Sequence, residues 1–200
     1  MKKILVVGST GRTGRLVLQE GLRRGLDITA FARTPEKLAG LKEVRLIRGD
    51  GLNLDDVRRA VSGQDAVICA VGSLPIARNL LAAMDESGVR RLVILSAYPA
   101  TGKRPRLMLA VVRLAFGRQY RELAEMERLI AESTLEWTII RPPMLNSRPA
   151  SGRVHQLLDG GDFHSGPYVI SRADLAATLL DIIQAGTAIR KSVPVSQAGG

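Results

Sequence analysis

The chain opens on a short apolar run, Lys3 to Val7, that leads directly into Gly8-Ser9-Thr10-Gly11-Arg12-Thr13-Gly14. A continuous apolar run of this length reads as a strand covered on both faces, the state of strands in a parallel sheet. Glycines spaced by three let the backbone turn tightly, approach a pyrophosphate and pack the next helix close to the strand. The start of that helix then meets phosphates with unpaired N–H groups and a partial positive charge. Residues 13–24 have helical spacing, with Leu16, Val17 and Leu22 toward one face and Arg15, Glu20, Arg23 and Arg24 outward. Residues 28–32 read as a second strand, which completes a βαβ unit around the glycines. Together these features imply a dinucleotide site at the end of the first strand.

The alternation continues. Strands are expected over 44–47, 66–71 and 91–95, and helices over 54–61, capped by Asn53, and 75–87. Thr34-Pro35 opens a brief helix through Leu38. After Ser96 the rhythm breaks, then resumes with a helix over about 119–132 and a strand over 137–140, stopped by Arg141-Pro142-Pro143. A Pro/Ser/Gly-rich stretch through residue 166 reads as irregular. Ser171-Arg172-Ala173-Asp174 has the capping-box pattern for a helix ending near residue 185, and residues 192–195 read as a closing strand. The expected fold is α/β, a Rossmann-type doubly wound parallel sheet. With 200 residues, no internal repeat and no linker, the chain is expected to form a single domain, 1–200. Acceptor-side elements are expected mainly from 97–120 and 142–168.

A balance of 46% hydrophobic and 24% charged residues excludes disordered and fibrous classes. No run reaches the ~20 apolar residues of a membrane span. The single cysteine, Cys69, cannot form an internal disulfide, and a cytoplasmic setting is expected. The net charge of +10 raises the question of an anionic partner. Its one focus is residues 101–121, where Lys103, Arg104, Arg106, Arg113, Arg118 and Arg121 surround Leu107, Met108, Leu109, Val111, Val112, Leu114 and Phe116. No Asp or Glu occurs between Glu86 and Glu122. Only Phe116 and Tyr120 are available for base stacking, so no nucleic acid is expected. A cover for the acceptor side, a partner subunit, or a weak peripheral membrane contact through 103–121 remain open. The protein is expected to be a monomer or a small homo-oligomer.

The end of the second strand decides the dinucleotide. An acid there would bond the ribose 2′-OH and favour NAD. Here the residues are Phe31-Ala32-Arg33-Thr34, with no acid before Glu36. Arg33 can pair bidentately with a 2′-phosphate, and Arg12 can add a second charge or stack on adenine. NADPH is therefore expected over NADH.

These residues resemble the atypical short-chain dehydrogenase/reductases, the branch holding NmrA-like proteins and the flavin reductase/biliverdin-IXβ reductase family. The matching stretches are Gly8 to Gly14, Ala32-Arg33, Arg48-Gly49-Asp50-Gly51, Gly63-Gln64-Asp65-Ala66-Val67-Ile68 and Ser96-Ala97. They continue with Glu132-Ser133-Thr134-Leu135-Glu136-Trp137 into Arg141-Pro142-Pro143, and Val169-Ile170-Ser171-Arg172-Ala173-Asp174-Leu175. The resemblance implies that Asp50 and Gly51 approach the adenine and that Ala70, Val71 and Gly72 line the nicotinamide side. It also implies Ser96 beside the nicotinamide, with Pro143, Met144 and Leu145 holding the carboxamide edge. The alternative readings are that Asp50 caps its own turn and that Met144 belongs to the core. Three departures bear on substrate. The link Gly72-Ser73-Leu74-Pro75-Ile76 is shorter than in the bilin and flavin reductases, Leu123 stands where a basic residue is common, and Met144 replaces a histidine.

The larger short-chain family activates a tyrosine with a lysine four residues on. Here Gly102, Ala124 and Arg172 follow Tyr98, Tyr120 and Tyr168 at that spacing, so no such pair exists. Hydride transfer to a conjugated acceptor such as a flavin, quinone or bilin is less demanding, because the cofactor carries the chemistry and water can deliver a proton. Ser96 is the candidate catalytic residue; alternatively it is a strand-end serine bonded to backbone. Tyr98 is a candidate for the acceptor pocket. His155 and His164 have no carboxylate partner at useful spacing, and no metal site is expected. Two readings follow: an NADPH-dependent oxidoreductase acting on a conjugated acceptor, or a non-catalytic NmrA-like protein that senses NADP(H) or regulates a partner.

Overall fold

A computed structural model describes residues 3–103, 106–158, 161–163 and 168–198. Arg104 and His164 fall outside them. The alternation in the sequence becomes β1 (Lys3–Val7), α1 (Arg12–Arg23), β2 (Asp27–Ala32), β3 (Arg45–Arg48), α2 (Leu54–Val61), β4 (Ala66–Cys69), α3 (Leu74–Ser87) and β5 (Arg91–Leu95). Then follow α4 (Tyr98–Thr101), α5 (Arg106–Glu132), β6 (Glu136–Arg141), β7 (Met144–Asn146), β8 (Val154–Gln156), β9 (Val169–Ser171), α6 (Arg172–Ala185) and β10 (Lys191–Gln197). The main sheet has the order β3-β2-β1-β4-β5-β6-β10-β8, parallel except for β8, which runs antiparallel to β10. This is a Rossmann-type single-domain α/β fold.

Strand periodicity splits the core into two layers. Ile4 and Val6 of β1 face α1 and α6, where Val17, Leu18, Leu175 and Leu179 are buried. Leu5 and Val7 face the other way, onto Val57 of α2, Leu80 and Met84 of α3 and Met126 and Ile130 of α5. On α1 the buried pair is thus Val17 and Leu18, whereas Leu16 and Leu22 pack only partly against the core.

Three expectations need correction. β4 stops at Cys69, two residues short of 71, because Ala70 gives its last parallel bond to Val7 and the chain then turns into the loop before α3. Residues 142–166 are not wholly irregular: β7 pairs with β9 in a separate two-stranded sheet, and β8, carrying His155, extends the main sheet. The basic segment joins the expected 119–132 helix in one element with a kink at Phe116 (φ −126°, ψ 27°), where Gly117 lowers the cost of leaving helical geometry.

Two buried charges lock these late elements in place. Glu127 on α5 is almost fully buried and takes the Arg141 guanidinium in a bidentate pair, with Nη2–Oε2 at 2.5 Å and Nε–Oε2 at 3.0 Å. Thr101 donates to the same carboxylate at 3.3 Å. Removing one partner of such a pair strands a charge in the core. The second charge is Asp174. The capping-box pattern is only half realised: Ser171 Oγ accepts from the Asp174 N–H at 2.9 Å, as an N-cap does. The Asp174 carboxylate does not return to the Ser171 backbone. It accepts from Ser171 Oγ, from Ser151 N and Oγ and from Gly152 N, pinning the loop before β8 to the start of α6. Burial alone would push this carboxyl up, but those donors outweigh it and hold it below the ordinary value.

A carboxyl held low in the folded state stabilises at any pH above its unfolded pKa and loses that contribution as pH falls through the folded one. Asp174→Asn should cost about 3 kcal/mol at neutral pH, from several hydrogen bonds to a buried charge. The difference between variant and parent in urea midpoints should close as pH drops below about 4.

Candidate functional site

Where β1 ends, the chain path reverses: β2 and β3 lie on one side of it, β4, β5 and β6 on the other. In open α/β sheets this switch point leaves a crevice at the carboxyl ends of the strands. Here the crevice is a cleft of about 390 Å³ whose walls come from the loops after β1, β2, β3 and β4.

The glycine loop forms its floor. Gly8 takes a left-handed conformation, φ +77°, and its carbonyl accepts from Gly11 N at 3.0 Å. A Cβ on Gly14 would lie 2.2 Å from that carbonyl oxygen, so only glycine lets α1 pack this close to β1. A Cβ on Gly11 would meet only the same oxygen, at 3.1 Å, and the residue is exposed on the cleft. The N-terminus of α1 has Gly11 as its cap, no capping side chain and no acid in its first turn. Its first N–H groups are left for an anion.

The remaining loop residues divide by role. Gly8, Thr10 and Gly11 line the cleft. Ser9 is fully buried and donates to the Phe31 carbonyl at 2.9 Å, fastening the loop to β2. Thr13 is buried beside Gly14, and Arg12 is exposed just outside the cleft walls. Across the cleft, Arg33 lies on the lining with its side chain exposed and in no hydrogen bond or ion pair with the described residues. Glu36, the acid that follows it, pairs with Arg48, and Arg48 also donates to the Arg33 carbonyl at 3.3 Å. The guanidinium of Arg33 is thereby spared a competing carboxylate.

Asp50 and Gly51 also line the cleft. The Asp50 carboxylate accepts from Leu52 N at 3.0 Å, closing its own turn, and Asp50 N donates to Asp56 at 2.8 Å. That backbone bond is the main reason the Asp56 carboxyl is held below its usual range. Ala70 and Val71 complete the wall, with Val71 packed on Gly8. Sequence reasoning missed Phe31, Gly49, Leu52, Ser73 and Ile76 on the lining. Gly49 lies inside a quoted stretch and packs under Phe31, where a Cβ would come within 2.5 Å of the ring. The others are ordinary residues whose spacing carries no signal.

The acceptor side is more open. Gly72 is exposed beyond the cleft, and a Cβ there would lie 2.7 Å from Leu123, so Leu123 sits against the end of β4. Ser96 follows β5; its N–H donates to the Ile140 carbonyl, and the residue is 8% exposed. Its hydroxyl has no partner among the described residues, which weighs against the reading of a serine bonded to backbone. Pro143, Met144 and Leu145 do not line the cleft. Leu145 packs on the core, whereas the Met144 side chain is 70% exposed on β7 and is not a core residue. Tyr98 is also corrected: it is fully buried against Leu109 and Phe163, donates to Asp162 at 2.9 Å and accepts from Phe163 N at 3.2 Å. Burial and the Asp162 carboxylate push its phenol up to about 12. It anchors a loop and lines no acceptor pocket. Burial likewise pushes the Cys69 thiol up to about 12.

A glycine floor that a Cβ would fill, a bare helix start, an uncommitted arginine and an orphaned hydroxyl fit a dinucleotide laid across the strand ends. The chain belongs to the NAD(P)H-binding family, whose model matches residues 8–185. It is 27% identical over 234 aligned positions to the chloroplastic divinyl chlorophyllide a 8-vinyl-reductase of Arabidopsis thaliana, covering 98% of this chain and 53% of that protein. The chain spans between 53% and 62% of the length of the first plant relatives it matches. Among solved structures it superposes on a short-chain dehydrogenase/reductase from Veillonella parvula in complex with NADP, with a TM-score of 0.85, 21% identity and 100% and 96% of the two chains covered. It also superposes on ChuY, an anaerobillin reductase from Escherichia coli O157:H7, with a TM-score of 0.83, 20% identity and 99% and 98% covered.

Two substitutions separate scaffold from site. Gly14→Ala should lower stability by about 2 kcal/mol or more, since the overlap outweighs the ~1 kcal/mol alanine gains in a helix. Gly11→Ala should keep a near-parental urea midpoint yet weaken dinucleotide binding by about tenfold or more, read by quenching of Trp137 or NADPH fluorescence. Cys69 should react with a thiol reagent only as fast as the protein unfolds; rapid labelling of the native protein would contradict its burial.

Proposed function

We propose that the protein is an NADPH-dependent oxidoreductase that passes hydride to a conjugated acceptor of the flavin, quinone or bilin type. The observation that carries the cofactor choice is Arg33: an exposed guanidinium on the cleft wall, at the end of β2, freed of Glu36 by Arg48. A 2′-phosphate offers it the bidentate pairing that a ribose hydroxyl does not. The α1 N-terminus with Gly8, Thr10 and Gly11 holds the pyrophosphate, Arg12 flanks it, and Asp50, Gly51 and Ile76 border the adenine. Ala70, Val71 and Gly72 lie toward the nicotinamide.

When bound, the nicotinamide supplies a hydride to the acceptor, and a proton from water completes the two-electron reduction. Ser96 offers the hydroxyl beside the transfer, with no partner among the described residues to compete for it. It orients the acceptor or receives part of its developing charge through a hydrogen bond. The similarity to a divinyl chlorophyllide a 8-vinyl-reductase and to an anaerobillin reductase supports this acceptor class.

The rival reading is a non-catalytic NADP(H) sensor of the NmrA-like kind. It draws on the absent Tyr-x-x-x-Lys pair and on Tyr98, whose phenol is committed to Asp162. NADPH oxidation followed with FMN, a quinone and biliverdin offered separately decides between them. Turnover above background with at least one acceptor is expected; background rates with all three, while NADPH still binds, would leave the sensor.

Arg33→Gln should weaken NADPH by about tenfold to a hundredfold and leave NADH within about twofold, by competition titration. Equal losses for both would remove the 2′-phosphate role. Ser96→Ala should lower kcat about tenfold with the NADPH Kd unchanged.

A further inference from the structure

The first half of α5 presents an apolar face that nothing in the described chain covers. Leu107 is 81% exposed, Val111 61% and Leu114 88%, and their spacing of four and three puts them on one side of the helix. Phe116 at the kink is 55% exposed. The opposite side holds the segment to the body through Leu109, buried against Tyr98 and Phe163. Three large apolar side chains in one stripe, with a fourth exposed at the kink, are more than scattered surface exposure accounts for.

The charges around the stripe are of one sign. Lys103 and Arg106 flank its start, and Arg118 and Arg121 follow the kink. Lys103, Arg106 and Arg121 have no side-chain ion pair among the described residues, and Arg118 meets Glu122 only at 3.2 Å on an exposed surface. No acid occurs in the sequence from residue 87 to residue 121. A second copy of this chain would make a poor occupant. A two-fold contact sets the same patch against itself and brings these cations together. An apolar stripe rimmed by cations, on a helix too rich in charge to cross a membrane, matches the interface of an anionic bilayer.

We propose that the first half of α5 docks the protein on anionic membrane surfaces. Leu107, Val111, Leu114 and Phe116 enter the headgroup boundary, and Lys103, Arg106 and Arg121 lie among the lipid phosphates. This inference does not depend on the reductase reading; it holds equally for a protein that binds NADPH without turnover.

The test is co-sedimentation of the full chain with vesicles of phosphatidylcholine alone and of phosphatidylcholine with phosphatidylglycerol in equal parts. Binding to the mixed vesicles, weakening as salt is raised, is expected, with little on the neutral ones. Leu107→Ser with Leu114→Ser should reduce binding by about tenfold or more, and Arg106→Gln with Arg121→Gln should flatten the salt dependence. NADPH affinity should be unchanged in both pairs, which shows that the variants are folded. No binding to the mixed vesicles at low salt overturns the proposal. So does binding that the leucine changes leave intact, since that is a general response to polyanions. A lipid-free dimer that Leu114→Ser turns into a monomer would assign the face to self-association and also overturn it.

Discussion

The distance between α1 and β1 sets the rest of the site. With 2.2 Å between the Gly8 carbonyl oxygen and the place a Cβ would occupy on Gly14, the helix sits as close to the strand as backbone allows. That approach aims the uncapped N–H groups of α1 across the carboxyl end of the sheet. It also leaves Ser9 no position but an inward one, where its hydroxyl closes on the Phe31 carbonyl and sets the end of β2 relative to the loop. Arg33, two residues on, inherits its place from that bond. The arginine on the cleft wall is thus positioned by a serine that lies outside the cleft lining.

The later elements depend on a different device. β6 is the last strand of the Rossmann order, and its end must be fixed before anything beyond it can be placed. Arg141 does this by entering the core to meet Glu127, and Pro142, the next residue, accepts from Tyr98 N at 2.8 Å. The ion pair and that bond tie α4, α5 and β6 into one corner beside Ser96. A hydrophobic pair would fill the same volume; the charges add a directional requirement, since a bidentate fork tolerates little displacement.

How much of this the sequence disclosed depended on the range of the interaction. β1, β5, α2 and the glycine loop were legible because their patterns are local: a run of apolar residues, an Asn53 cap that accepts from Asp56 N, glycines three apart. The end of β4 was misplaced because apolar Ala70 and Val71 continue the strand pattern although the loop claims them. β7, β8 and β9 were hidden because three-residue strands carry no periodicity, and the loop leading into β8 is held by a carboxylate from Asp174, more than twenty positions away in the chain. The pairing of Glu36 with Arg48 was invisible for the same reason, although it is what leaves Arg33 uncommitted. Ser96 is singled out by the family resemblance and its place after β5, whereas the lack of a partner for its hydroxyl among the described residues is a property of the packed structure alone.

The kink at Phe116 divides α5 into a rooted half and a presented half. Leu123, Met126 and Ile130 bind the rooted half to the sheet, and Glu127 anchors it to Arg141. Among the described side chains, the presented half meets the body chiefly through Leu109. Its outward surface can therefore be rewritten without disturbing the cleft or the strand order. For protein engineering, residues 106–116 form an exchangeable cassette: a new outward face on these roughly three turns of helix would change what the surface presents while the cleft stays the same.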